Sequence, residues 1–315
     1  MPRVALPPHA GKMLAVASFL LPLLIWTAIS YVPFLWHPKV IVSDPGGVTY
    51  FTDGMLIDRD QFDIETENMR EQGLALPEGE RANPIYLPAP HEVATALVTA
   101  FTAEPNRSSE MWLHESLWHS ITIIFKAFIL SSLIGVPLGI LCGTYAAMSR
   151  LVEPFIEFFR YLPAPAFGAL AVAILGIYDA PKIAIVFIGT FSQQVLIIAN
   201  TTRKLDMALL EAALTLGAKR LQLLFRVVIP GVLPNLYRDQ RILLGWAWTY
   251  LIVAELIGTS SGITWFITQQ ARYKNFDNVF AAIMIIGIIG LLSDILLARL
   301  GKRLFPWDKP ADKNS

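Results

Sequence analysis

The sequence predicts an all-α membrane protein of about six transmembrane helices, with one polar segment inserted between the first helix and the second. Composition gives the first indication: 54% of the 315 residues are hydrophobic and only 16% are charged, where a soluble domain carries roughly a quarter charged. Charge spacing gives the second. The stretches 13–36, 127–149, 161–178 and 183–202 contain no Asp, Glu, Lys or Arg, and each reaches about the 18 residues expected of a spanning helix. Two further spans, 242–258 and 278–298, carry one acid each, Glu255 and Asp294.

The first span has 24 charge-free residues and would cover about 36 Å as a helix, enough to cross a bilayer and longer than a usual signal-sequence core. It is therefore read as retained. The segment 37–115 that follows is the one large polar stretch, with 14 acidic and 5 basic residues in a chain that is balanced as a whole at 25 against 25. Within it, SDPGG and GLALPEGERANP read as turns, and VTYFTDGMLIDRDQFDI has the β-branched and aromatic content of short strands or a hairpin. Residues 91–101 read as a helix lying along the membrane surface. Two readings stand for the insert, a disordered acidic loop or a small ordered cap on the outer face, and its apolar content favours the cap.

Orientation follows from the basic residues, because short loops rich in Lys and Arg stay on the cytoplasmic side. Arg3 and Lys12 precede the first span, Arg150 and Arg160 lie between the second and third, and seven basic residues lie between the fourth and fifth. Arg299, Lys302, Arg303, Lys309 and Lys313 follow the sixth. Both termini are thus placed in the cytoplasm.

Within the spans, Gly135, Gly139 and Gly143 form a small-xxx-small stripe suited to close helix packing. Pro163 and Pro165 predict a broken helix at the start of the third span, which is tolerated where other protein or water satisfies the backbone. Trp246, Trp248 and Tyr250 read as an interfacial aromatic belt. Gln193, Gln194 and Asn200 are candidates for lining a path, with helix-to-helix hydrogen bonding as the alternative for each. Glu255 lies 13 residues into its span, and a charge there faces the bundle interior or a water-filled cavity. It either pairs with Lys182 or Arg272, caps a helix end, or contacts solute.

Between the fourth and fifth spans lies a loop, 203–237. Asp206 can cap a helix starting at Met207, Gly217 can take a left-handed turn that a side chain would oppose, and Pro230 is expected to close the unit, since the residue before a proline is pushed out of helical geometry. The run EAALTLGAKRLQLLFRVVIP, 211–230, resembles the EAA loop of ATP-binding-cassette (ABC) importer permeases. That pattern is Glu-Ala-Ala, three residues, Gly, nine residues, then a branched apolar residue, any residue, an apolar residue and Pro. Glu211, Ala212, Ala213, Gly217, Val227, Ile229 and Pro230 hold those places here.

From about residue 115 to 307 the chain is similar to the permeases of the nitrate, sulfonate and taurine importer group, by Arg160, Pro163, Gly176, Lys182, Gly189, Thr190, Asn200, the LIVAE run ending at Glu255, Ser261, Gly262, Ala271, Arg272 and Asp294. The resemblance implies a type I ABC importer permease fold in a bacterial or archaeal plasma (inner) membrane. It implies a second permease subunit in a homodimer, a cytoplasmic ATPase dimer that binds ATP and Mg, and an extracytoplasmic solute-binding protein. Glu211, Ala212, Ala213, Gly217, Ala218 and Pro230 would couple to the ATPase. The solute would be nitrate, a sulfonate, taurine or a similar small species. The insert departs from the group, being longer than its pattern.

Nothing in the sequence points to chemistry of the chain's own. It has no CxxC pair, no metal-spaced His/Glu cluster, no Walker phosphate loop and no GxSxG elbow, and Cys142 is the only cysteine. No cofactor is expected on this chain, no enzyme activity and no nucleic-acid partner. The expected organisation is therefore 1–36 as N-terminus and first helix, 37–115 as insert, 116–300 as a five-helix permease core, and 301–315 as a tail. A self-contained secondary transporter or channel is the alternative, but it would call for an internal repeat or a charged relay. A membrane sensor built on the acidic insert is a third class.

Overall fold

The computed structural model describes residues 7–102, 112–257 and 261–308. Arg3, Lys309 and Lys313, used above for orientation, lie outside the described residues, as do Gly258 and part of the insert. The chain divides into two compact units, Met1–Ala103 with Thr268–Ala282, and Glu104–Ile267 with Ile283–Ser315.

In the first unit, helix α1 (Pro8–Tyr31) exposes most of its apolar side chains, among them Phe19, Leu21 and Leu24, as a helix facing lipid would. The described part of the insert before residue 103 is ordered. Strands β1 (Lys39–Asp44), β2 (Leu56–Asp58) and β3 (Glu78–Ala82) form an antiparallel sheet in the order β2-β1-β3. Val40 pairs with Ile57 on one side and with Arg81 on the other. Helix α2 (Arg59–Glu71) covers the sheet, so that Phe62 and Met69 join Val40, Val42, Val48, Phe51 and Ile57 in one buried cluster. The rings of Phe51 and Phe62 stack with centroids 5.9 Å apart.

Two expectations for the insert change. Residues 59–64 begin a helix rather than extend a strand, because Phe62 and Met69, seven apart, fall on one helical face and fill the space over β1. The run Glu78–Ala82, read as turn, is an edge strand; its charged side chains are exposed, as suits a sheet edge, and its pairing to β1 joins Ile41 to Glu80, 39 positions apart in sequence. Helix α3 (Pro90–Thr102) lies where a helix was expected. The Glu92 carboxylate accepts from the Ala89 N–H at 2.6 Å, and Val93 and Ala96 pack with Ala281, Trp26 and Phe280.

The second unit is helical. It contains α4 (Leu113–Thr144), α5 (Ala146–Arg160), a 3₁₀ turn (Ala164–Phe167), α6 (Gly168–Leu175), α7 (Asp179–Arg203), α8 (Met207–Thr215), α9 (Arg220–Leu223) and α10 (Ile229–Ile257). Helices α11 (Ile263–Arg272) and α12 (Phe276–Leu304) follow. Among the described residues, α1, α4, α7 and α12 are long and apolar enough to cross a membrane, and the bent pair of α5 with 164–175 makes up to a fifth.

The remaining difference from six expected spans has physical causes. The third, 161–178, is not one straight helix: the chain bends by 85° between α5 and the stretch 164–175, with Pro163 extended at the break. The fifth, 242–258, is the second half of α10, a 29-residue helix whose first half carries Arg238, Asp239 and Arg241.

Helices α4 and α7 form the centre of this unit. A Cβ on Gly139 would meet Ile198 Cβ and Val195 O at 2.8 Å, and one on Gly143 would meet Thr202 Cβ at 2.5 Å, so the glycine stripe lets the two helices touch backbone to backbone. Ile123, Ile124, Ala127, Ile185, Val186, Ala247 and Leu251 form one buried cluster beside them. Trp248 and Tyr250 pack against that cluster, which corrects the belt reading for these two; Tyr250 falls on the face of α10 turned to α7, where it lies over Gly189. Replacing Gly139 by Leu is expected to cost about 1–3 kcal/mol through overpacking and to lower the unfolding temperature in detergent. Gly287→Ala, where nothing lies within 4 Å, should leave it unchanged.

Candidate coupling loop and translocation path

Helix α8 starts where the sequence places it. The Asp206 side chain accepts from the Ala208 N–H at 3.0 Å, satisfying one of the donors orphaned at a helix start. The helix ends in a Schellman arrangement: Gly217 N–H donates to Leu214 O at 2.9 Å and Ala218 N–H to Ala213 O at 3.0 Å, with Gly217 at φ +80°. That backbone conformation is costly for a residue with a Cβ. Gln222 then accepts from the Lys219 N–H at 2.9 Å at the start of α9.

Pro230 does not close the unit. The chain passes from α9 through a π-helical turn, Leu224–Val228, straight into α10, with Ile229 helical at φ −57°, ψ −53°. Proline is accepted there because the wide turn before it, closed by the Ile229 N–H on Leu224 O, has already left the regular hydrogen-bond ladder that a proline would otherwise break.

One side of this element is anchored: Leu205, Leu210 and Leu223 pack on the cluster of Ile140, Ile198, Leu224, Val228 and Val232. The other side is bare. No residue of α8 is buried; Met207, Leu209, Leu214, Leu221 and Phe225 are exposed, and Leu216 is 88% exposed. Glu211 and Ala212 are exposed on the same helix. A contiguous apolar surface on a rigid, doubly capped helix is a feature of protein interaction sites.

Inside the helices, polar groups gather at two levels. At the first, Gln194 of α7 is wholly buried and joins three helices. It accepts from Ser131 Oγ of α4, and its Nε2 donates to Ser132 Oγ at 2.9 Å and to Gln240 Oε1 of α10 at 2.8 Å. At the second, Glu255 is 2% exposed and caps the start of α11: one carboxylate oxygen accepts from the Thr264 N–H at 2.8 Å, the other from Ser120 Oγ at 2.5 Å. Ser120 Oγ in turn accepts from the Ile263 N–H at 2.8 Å. Gly262, at φ +104°, makes room, since a Cβ there would run into the Glu255 carboxylate.

Lys182, also wholly buried, donates to Ser261 Oγ at 2.8 Å and Ser261 O at 3.2 Å and lies 3.6 Å from Asp179. His119 bridges Asp179 at 2.9 Å and Ser261 Oγ at 3.2 Å. Lower on α10, Arg241 makes a two-pronged pair with Asp294 of α12, Nε donating to Oδ1 at 3.1 Å and Nη2 to Oδ2 at 2.9 Å.

Residues 135–306 match the family described as binding-protein-dependent transport system inner membrane component. The chain belongs to this family. Among its relatives are the taurine transport system permease protein TauC of Escherichia coli, 32% identical over 71% of this chain and 81% of that protein, and the putative aliphatic sulfonates transport permease protein SsuC of Bacillus subtilis, 30% identical over 68% and 79%. The nitrate import permease protein NrtB of Synechocystis is 25% identical over 65% and 74%. Among solved structures, the inward-facing MetNI methionine ABC transporter matches with a TM-score of 0.56 at 20% identity, over 62% of this chain and 98% of that one. The chain is thus an ABC importer permease subunit, with the fold of the type I importers.

Of the path residues read from the permease sequence, Gln194 and Glu255 are buried and hydrogen-bonded within the chain. Gln193 is half-buried. Asn200 is exposed and accepts from Arg203 at 2.8 Å, while Arg203 also pairs with Glu153. For Glu255, capping a helix end is the arrangement found. Sequence reasoning missed Ser120, Ser131, Ser132 and Gln240, although each is a polar residue on a helix that hydrocarbon would penalise if unpaired. Glu255→Ala is expected to leave the Thr264 N–H and the Ser120 hydroxyl short of a partner and to destabilise the permease by about 1–3 kcal/mol. Comparing unfolding of Glu255→Gln with Glu255→Ala checks this: the glutamine keeps an acceptor and should recover part of the loss.

Proposed function

We propose that the chain forms the membrane path for a small anionic or zwitterionic solute of the nitrate, sulfonate or taurine kind, and that α8 with the Gly217 turn is its connection to a cytoplasmic ATPase. The relatives' names support the solute class; the exposed, doubly capped α8 supports the connection and is the observation that carries the reading. Two copies of the permease would enclose the path, with both termini cytoplasmic by the charge bias. A solute-binding protein would deliver solute from outside, and ATP and Mg would be held on the ATPase alone.

Closure of an ATPase pair around ATP can rock the permease helices as rigid bodies only if the connection does not bend. The caps at Asp206 and Gly217 supply that stiffness, and Leu210 and Leu223 tie the motion to α4, α7 and α10. Glu211, Ala212, Ala213 and Ala218 would lie in the docking face, and Pro230 would stiffen the entrance to α10. Of the four path candidates, Gln193 and Asn200 retain free surface and can meet solute; Gln194 and Glu255 hold the walls together.

Affinity purification of the native chain in mild detergent, followed by mass spectrometry, tests the connection. An ATPase should accompany the native chain and fall away from Gly217→Val, in which the turn is blocked; an ATPase retained by the variant at native yield, with normal uptake, would overturn it.

A further inference from the structure

We propose that Lys126 is an anion-contact point on the wall of the solute path, receiving the negatively charged headgroup of the solute; the inference rests on the importer reading above. Helix α4 packs on α7 in parallel, with Gly135, Gly139 and Gly143 opposite Gln194, Ile198 and Thr202. The offset is constant, since 194 − 135, 198 − 139 and 202 − 143 are each 59. The same offset sets Lys126 level with Ile185, inside the charge-free run 183–202 and so at the depth of hydrocarbon. A cation there is costly unless it faces protein, water or a counter-charge.

Several helix cations of this unit have a counter-charge within the chain. Lys182 has Asp179 and Ser261, Arg203 has Glu153, Arg238 has Asp308 and Arg241 has Asp294. Lys126 has no hydrogen bond or ion pair among the described residues and is exposed. It opens onto a groove of about 680 Å³ whose walls include Trp118, Thr122, Phe125, Ile129, Leu133 and Ile183. A cation at one point of an apolar, partly aromatic wall matches a solute with a charged head and a small apolar body. In that low-dielectric setting the attraction is stronger than in water. A lysine suits a passing ligand better than an arginine, because its ammonium is a mobile point charge and does not clamp the anion in a two-pronged fork.

A lipid phosphate has the same charge as the solute headgroup, so the test must separate them. The full importer, with its ATPase and binding protein, is reconstituted in vesicles and assayed for uptake of taurine and of nitrate. Lys126→Cys and Lys126→Met are expected to slow uptake about tenfold or more, as for a charge pair losing one partner, while the ATPase still co-purifies. In Lys126→Cys, aminoethylating the introduced thiol with a cationic reagent should restore transport, a neutral methylating reagent should not, and saturating solute should protect the thiol. Full uptake by Lys126→Met, or rescue by the neutral reagent, would overturn the proposal. So would an effect of Lys126→Met that appears in phosphatidylglycerol vesicles and vanishes in phosphatidylcholine, which assigns the charge to lipid. If the native importer takes up neither probe, the solute class itself is wrong, and the inference falls with it before any variant is compared.

Discussion

The contact between α4 and α7 is the constraint on which the rest of the permease unit depends. Lipid tails are as apolar as leucine, so helices inside a bilayer gain little from merely burying hydrocarbon against each other; close packing and hydrogen bonds must hold them. The stripe of Gly139 and Gly143 gives the packing, because no side chain stands between the backbones of the two helices. Gln194 gives the hydrogen bonds, one turn along the same line of contact, and extends them to α10 through Gln240. A bulky residue in the stripe would separate the helices and pull the glutamine from its partners at the same time.

The second polar level works by the same logic with charge. Glu255 and Lys182 are both buried, yet each is satisfied by hydroxyl and backbone groups: Ser120 and the α11 start for the acid, Ser261 and nearby Asp179 for the base. A buried charge is strongly destabilising when left alone. Tying each one to a chain break or helix start fixes α4, α7 and the α10–α11 connection together. His119 joins the two sets by touching Asp179 and Ser261.

At the other end of α7, rigidity has a local origin. The α8 element is fastened to the core on one side and bare on the other, with both ends of its helix capped by its own residues. It can therefore carry a displacement into α10 through a helix that is nearly continuous from Arg220 onward. The π turn at Leu224–Val228 is the one departure from regular geometry along this route, and it lies beside the proline.

Much of this was legible in the residues. The spacing of charges located the apolar segments; Asp206 and Gly217 declared the ends of α8 because capping and left-handed turns are local, single-residue effects; and the glycine stripe announced a close contact. What the sequence could not decide was partnership. Whether Glu255 meets a base, a solute or a helix end depends on groups 9 and 135 positions away, and no window of residues contains both. The edge strand Glu78–Ala82 looks like a turn until β1 is beside it, and Pro230 looks like a stop until the preceding turn is seen to widen. Local physics fixes where helices begin and what they expose; only the tertiary structure chooses which buried polar group satisfies which, because that choice is made between segments distant in sequence.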